Sequence, residues 1–139
     1  MEYIEPLKIL IYNNRAIKGT DAEGFGGFCE CNGTLIQKTW HEANSVKILI
    51  AECEKCWETE ALVFSGSKLI ERRKVKTIKR KDIREFLSEK LSESELEAIL
   101  NKAKGFDYNY SSFSRARKKL EKIGIDVGEI LKELILTPK

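Results

Sequence analysis

All four cysteines of this 139-residue chain fall within 28 consecutive residues, CECNGTLIQKTWHEANSVKILIAECEKC, from Cys29 to Cys56. They form two close pairs, Cys29/Cys31 and Cys53/Cys56, with 21 residues between the pairs. Thiolates are soft donors, and two tight turns carrying two each can enclose a metal ion in a tetrahedron. In a reducing compartment paired cysteines point to metal ligation ahead of disulfides. Zinc is the expected ion, one per chain and structural. Iron in the same tetrahedron is the alternative, and disulfides or free thiols complete the options. A site closed by four thiolates keeps no position open for water or substrate. A catalytic cysteine would need a basic partner, and the one histidine, His41, falls in a predicted turn (HEANS) far from both pairs. No catalytic residue and no small-molecule substrate are expected.

The elements that must position these cysteines are two strand-like runs, TLIQKTW and VKILIAEC, joined by that turn. The arrangement resembles the zinc-ribbon proteins over residues 27 to 65, and the resemblance carries over to Cys29, Cys31, Cys53 and Cys56. It implies a small antiparallel sheet with two knuckles clamping one ion. The second knuckle, CEKCW, has the usual spacing. The first, CECNG, has one residue between its thiols instead of two, with Asn32-Gly33 supplying the turn. Trp40 and Trp57 are expected to pack over the sheet.

Around this stretch the pattern stays β-like. LKILIY and RAIK flank Asn13-Asn14 as a hairpin. GTDAEGFGGF is Gly-rich without the spacing of a phosphate or dinucleotide loop and is expected to be irregular. ALVF and KLIERRKVKTI flank a Ser65-Gly66-Ser67 turn. From residue 82 the apolar period becomes about 3.6. Asp82/Glu85, Ser92/Glu95 and Asp126/Glu129 mark three helix starts by the capping-box pattern. Their core faces are Ile83, Phe86, Leu87 and Leu91, then Leu96, Ile99, Leu100 and Ala103, and last Ile130, Leu131, Leu134 and Ile135. Ser112 to Ile123 makes a further helix that buries Phe113, Ala116, Leu120 and Ile123, with Gly124 ending it. The expected fold class is α+β: a β-rich zinc-ribbon module over 1–80, then a bundle of about four short helices over 81–139.

Charge divides the chain at a different point, between residues 65 and 66. Residues 1 to 65 hold 6 Lys+Arg against 10 Asp+Glu, net −4, whereas residues 66 to 139 hold 19 against 12, net +7. A polyanion should be drawn to the second half and a protein partner to the first. RRKVKTIKRK, residues 72–81, carries seven basic residues in ten. As a strand it would set Arg72, Lys74 and Lys76 in a row on one face that could follow a phosphate backbone, with Arg73 on the other face, and phosphate contacts are expected from these four and from Arg80 and Lys81. The competing reading is a solvated edge strand whose lysines discourage aggregation. The second basic element is SSFSRARKKLEKIGI, residues 111–125. On a helix, Arg115, Lys118, Lys119 and Lys122 lie opposite the apolar stripe, and Ser112 and Ser114 can donate to phosphate near its start.

With the preceding helices, residues 82–125 resemble helix-turn-helix DNA-binding proteins, which implies groove or backbone contacts from those residues. The connection GFDYNYSSF is longer than that family's tight turn. Its aromatics Phe106, Tyr108 and Tyr110 are expected mainly to pin the loop onto the helices, with stacking on single-stranded bases as the alternative. Met1-Glu2-Tyr3-Ile4-Glu5 lacks the basic start of a signal peptide and no apolar run approaches ~18 residues, so a cytoplasmic chain without a membrane partner is expected. The function expected is binding of DNA, ahead of RNA, in transcription-associated regulation. The alternative is a protein–protein adaptor or assembly subunit.

Overall fold

The computed structural model describes residues 1 to 136; the last three positions of the expected helical module, 137–139, lie outside the described residues. Val-, Ile- and Thr-rich runs build eight strands among them: β1 (Glu2–Ile4), β2 (Ile9–Tyr12), β3 (Arg15–Asp21), β4 (Phe25–Phe28), β5 (Thr34–Ala43), β6 (Val46–Cys53), β7 (Thr59–Ser65) and β8 (Lys68–Ile78). The sheet order is β3-β2-β1-β8-β7-β6-β5-β4, and β3 pairs again with β5. That second pairing, Gly19–Asp21 against Thr39–His41, closes seven strands into a barrel and leaves β4 as a flap on β5. Every pairing is antiparallel except β1 with β8.

The two strands between the cysteine pairs are therefore not a free-standing ribbon but adjacent staves of a mixed barrel. Their composition explains this. In β6 the run Ile48, Leu49, Ile50, Ala51 is buried on both faces, and a strand of that kind needs cover on each side. Ile48 and Ile50 point into the barrel with Tyr3, Leu10, Ala61, Val63 and Val75. Leu49, Ala51 and Cys53 point outward and are covered by Leu35, Leu62, Trp40, Phe64 and the loops carrying Cys29 and Cys31. Trp40 packs over the sheet as expected, 5.7 Å from Phe64, but Trp57, expected to do the same, is 69 % exposed.

One bulge lets β5 serve two partners. Its register against β6 shifts between Gln37 and Thr39. On the near side of the shift Thr34–Ile36 pair with β4; beyond it Thr39–His41 pair with β3. The extra residue bends and twists the strand, as bulges do at barrel corners. The Gly-rich segment expected to be irregular thus contributes the short β4, because Gly26 and Gly27 allow close approach to β5 and β6. A Cβ at Gly26 would lie 3.2 Å from Ala51 Cβ.

His41 corrects an expectation. It is a residue of β5, 1 % exposed, and not a solvated turn residue; the turn is Asn44-Ser45. Its Nδ1 donates to the Ile17 carbonyl at 2.8 Å, leaving Nε2 of the neutral ring to accept from Thr39 Oγ1 at 2.8 Å. Tyr3 Oη is 3.3 Å from the same hydroxyl and its ring meets His41 edge-on. Gly19 lies against the imidazole, which would collide with any side chain there.

Four helices follow a 3₁₀ turn at Arg80–Asp82: α1 (Ile83–Lys90), α2 (Glu93–Lys104), α3 (Tyr110–Lys122) and α4 (Val127–Leu136). Ser92 and Glu95 form the expected reciprocal capping box at α2. Asp82 caps nothing with its side chain, because the 3₁₀ turn already feeds α1. Asn109 caps α3, accepting from Ser112 N at 2.9 Å, so this helix starts earlier than Ser112. Gly124, at φ 94°, ends it. The helices do not form a separate bundle core: Ile83, Phe86, Leu87, Ile99, Leu120 and Ile130 share one cluster with Ile4, Ile9, Ile11 and Ile78 of the barrel's outer face. Ile135, expected in the core, is 64 % exposed. Pinning of the connection by aromatics is partial. Tyr108 packs on Phe113 and under Lys102, whereas Phe106 and Tyr110 are exposed.

Glu95 ties α2 to α3. Almost fully buried, it accepts from Ser92 N and receives Lys119 Nζ at 2.7 Å, with Arg115 Nε at 3.6 Å. Burial alone would raise its carboxyl; the Lys119 and Ser92 contacts outweigh that and hold it below the usual carboxylate range. Glu95→Ala should cost about 1–3 kcal/mol in urea unfolding, since it removes a cap and strands two cations.

Burial pushes the His41 imidazole below its ordinary value, against the pull of Ile17 O. The neutral ring's contribution is complete above the unfolded-state value near pH 6.5 and is lost as pH falls toward the depressed folded value. Urea midpoints should therefore fall between pH 7.5 and 5, and His41→Gln should be less stable at pH 7.5 yet lack that slope.

Candidate metal centre and cationic surface

Both cysteine loops are bent by residues that accept unusual backbone angles. In the first, Asn32 sits at φ 70°, its N–H donates to Cys29 O at 3.0 Å, and Cys29 N donates to Gly33 O at 2.9 Å. Gly33 has no substitute in this geometry, because a Cβ there would collide with Cys53 Sγ and lie 2.7 Å from Lys55 Cβ. In the second loop Trp57 takes φ 65° and donates to Cys53 O at 3.0 Å. This left-handed conformation is rare for a bulky residue.

The four sulfurs lie within 4.8 Å of one another. Cys29 and Cys56 are 3.6 Å apart, Cys31 and Cys53 3.5 Å. Metal–sulfur bonds of ~2.3 Å in a tetrahedron give sulfur–sulfur edges of about 3.8 Å, so the cluster fits one ion. Amides of Lys55 and Cys56 donate to Cys53 Sγ at 3.3 and 3.4 Å. The Cys56 amide foremost, with Lys55 helping against burial, holds the Cys53 thiol down to about 7. At Cys56 the Glu58 amide favours the thiolate, but burial and the three neighbouring sulfurs push it up to about 12. Four thiols this close resist ionising together, and a divalent cation among them lifts that resistance.

The cationic residues singled out from the sequence fall in different settings. Arg72 grips the buried Glu60 through Nε and Nη2 at 2.9–3.1 Å, and Nη2 also donates to Phe28 O at 2.8 Å. It clasps β4, next to Cys29, onto the barrel. Lys74 pairs with Glu58 at 3.1 Å, Lys76 with Glu89 at 3.5 Å, Arg80 with Glu133 at 2.8 Å, and Arg73 reaches Glu71 at 4.0 Å. On α3, Arg115 and Lys119 are held by Glu95. Ser112 is buried and its Oγ accepts from Arg115; Ser114 is half-buried. Lys81, Lys118 and Lys122 are exposed and make no ion pair among the described residues. The acids that neutralise so much of 72–81, Glu58, Glu60, Glu89 and Glu133, come from three other elements and a loop. Glu58 and Glu60 are brought near by the β7–β8 hairpin itself, whereas Glu89 and Glu133 arrive only through the packing of α1 and α4 on the barrel, which no local pattern announced.

A mixed barrel with a four-cysteine cluster on its outer wall, followed by four helices packed against it, defines an α+β protein of two consecutive parts. Residues 1–77 match the family model described as the AF0631-like N-terminal beta-barrel domain, and residues 80–133 match the AF0631-like C-terminal four-helix domain. The chain is also 38 % identical over 136 residues to an uncharacterized protein of Archaeoglobus fulgidus, covering 96 % of this chain and 99 % of that one. It belongs to the AF0631-like family. No solved structure matches it. Among the described residues no helix is long and apolar enough to cross a membrane.

Gly33→Ala should drive the two loops apart. Metal analysis of the purified wild-type chain is expected to give one equivalent per chain, and the variant well under half. Retention of a full equivalent by the variant would contradict this geometry.

Proposed function

We propose that this is a cytoplasmic nucleic-acid-binding protein, DNA ahead of RNA, with a role in transcription-associated regulation and one structural zinc ion in the Cys29/Cys31/Cys53/Cys56 cluster. The observation that carries the binding reading is the outer face of α3. Lys118 and Lys122, one turn apart, are exposed and free of ion pairs among the described residues, with Arg117 alongside and Ser111 and Ser114 toward the helix start. Free cations on one helical face suit phosphate contacts, and polar groups at the helix start suit base edges. Most of the 72–81 tract is committed to internal ion pairs, which makes α3 the stronger contact and β8 an accessory. Zinc is the proposed ion because a closed four-cysteine tetrahedron is a usual structural zinc site; four thiolates with amide donors also suit iron, and metal analysis separates the two.

The adaptor reading has its own support in β8. Only Lys76–Ile78 of that strand pair with β1, so its earlier residues present an open edge carrying exposed Leu69 and Ile70, a feature that pairs with extended segments of other proteins.

Binding of a fluorescent DNA to the full chain should weaken steeply with salt, because each neutralised phosphate releases counterions. A Lys118→Glu/Lys122→Glu double variant should lose ~10-fold affinity and about two units of the log–log salt slope. Affinity indifferent to salt would eliminate nucleic-acid binding and favour the adaptor.

A further inference from the structure

A cleft lies where the barrel meets the end of α3. Its volume is about 670 Å³, within the ~300–1,000 Å³ of ligand-sized sites. The β2–β3 and β5–β6 hairpin tips form one wall, and residues 121 to 124 form the other. The two walls are bonded together: Ala16 N donates to Ile123 O at 2.6 Å, and Lys18 Nζ reaches Glu129 at 2.9 Å. Gly124 meets Ala16 so closely that a Cβ there would lie 3.4 Å from its carbonyl oxygen. The cleft is therefore preformed.

Its charge is not balanced internally. Arg15 and Lys122 both line it, both are exposed, and neither has a partner among the described residues. The two acids of the lining are already engaged, Glu42 by Lys47 and Glu121 by Arg117, each at 3.7 Å. The helix C-terminus would ordinarily repel an anion, but the Ile123 carbonyl is taken by Ala16 and Lys122 stands over the last turn. Asn13 and Asn44, at φ 51° and 53°, place amide side chains at the hairpin tips, where they can donate and accept toward base edges. Tyr12 and Val46, packed on the barrel's inner cluster, give an apolar floor against which a base can rest.

Resting on the nucleic-acid reading above, we propose that this cleft receives a single nucleic-acid strand, one backbone phosphate held between Arg15 and Lys122, as a continuation of the contact face that begins at Lys118. A single extended strand is narrow enough to enter a recess between hairpin tips and a helix end, whereas a duplex would meet chiefly its rim. The site thus selects unpaired ends, loops or melted segments.

The experiment measures anisotropy of a labelled 15-nucleotide thymidine strand, and of a 15-base-pair duplex, with the full chain and with Arg15→Glu and Arg15→Gln. Arg15 is an exposed, unpaired side chain, so both variants should melt like the wild type. The expected result is tighter binding of the single strand, a loss of ~10-fold for it in Arg15→Glu and a smaller loss in Arg15→Gln, with duplex binding unchanged. If Lys118→Glu weakens binding while Arg15→Glu does not, the cleft is not the strand site, although nucleic-acid binding stands. If neither probe binds at low salt, the nucleic-acid reading itself falls and this inference with it. If adenosine triphosphate displaces the strand at an equal phosphate concentration, the cleft holds free nucleotides and the strand assignment is overturned.

Discussion

The three residues of β1 carry a constraint on which both halves of the molecule depend. Tyr3 points into the barrel, beside Thr39 and His41, while Ile4 points out into the cluster formed with α1 to α4. The parallel register of β1 with Lys76–Ile78 fixes where β8 stops being a barrel strand and the chain turns toward the helices. If β1 slipped by one residue, alternation would swap the two faces and place the tyrosine ring in the helical core and the isoleucine in the barrel. A strand this short holds because it is buried on both sides.

Electrostatics follow from that packing. The barrel, residues 1–78, holds 11 Lys+Arg against 11 Asp+Glu, and residues 79–139 hold 14 against 11, so the attraction between the two parts is local: the pairs Lys79–Glu5, Lys90–Glu2 and Lys18–Glu129 join them. Exposed pairs of this kind are each worth little, about 0–1 kcal/mol. Their larger effect is on which cations remain free for other anions. Arg72 is different in kind, because Glu60 is buried and the same guanidinium clasps the Phe28 carbonyl; it serves the metal centre and not the solvent face.

Much of the local structure was legible in the sequence. The cysteine pairs and the Asn32-Gly33 turn announced a converging site, and the Ser92/Glu95 pattern and apolar period announced α1 to α4. What was not legible depended on distant parts of the chain meeting. Barrel closure requires β3 to find β5 across a bulge that no residue type marks. The tripeptide that forms β1 is too short for its alternation to register. His41 looked like part of a turn because Glu42, Asn44 and Ser45 follow it; Gly19, the residue that makes room for its ring, lies more than twenty positions earlier. The charge density of RRKVKTIKRK is ambiguous for the same reason, since a run of cations reads the same whether its acids are absent or arrive from other elements.

The bond from Ala16 to Ile123 also bears on synthesis. The β2–β3 hairpin leaves the ribosome long before the last partner of its outer face, Ile130, and the partner of its Ala16 edge, Ile123, which lie more than a hundred residues further along. Ile9 and Ile11 must therefore wait uncovered until then, and a ribosome that stalls after β8 releases a closed barrel with an unshielded greasy flank. For this chain, emergence of α4 rather than folding of any earlier segment sets the moment at which that flank becomes safe from aggregation.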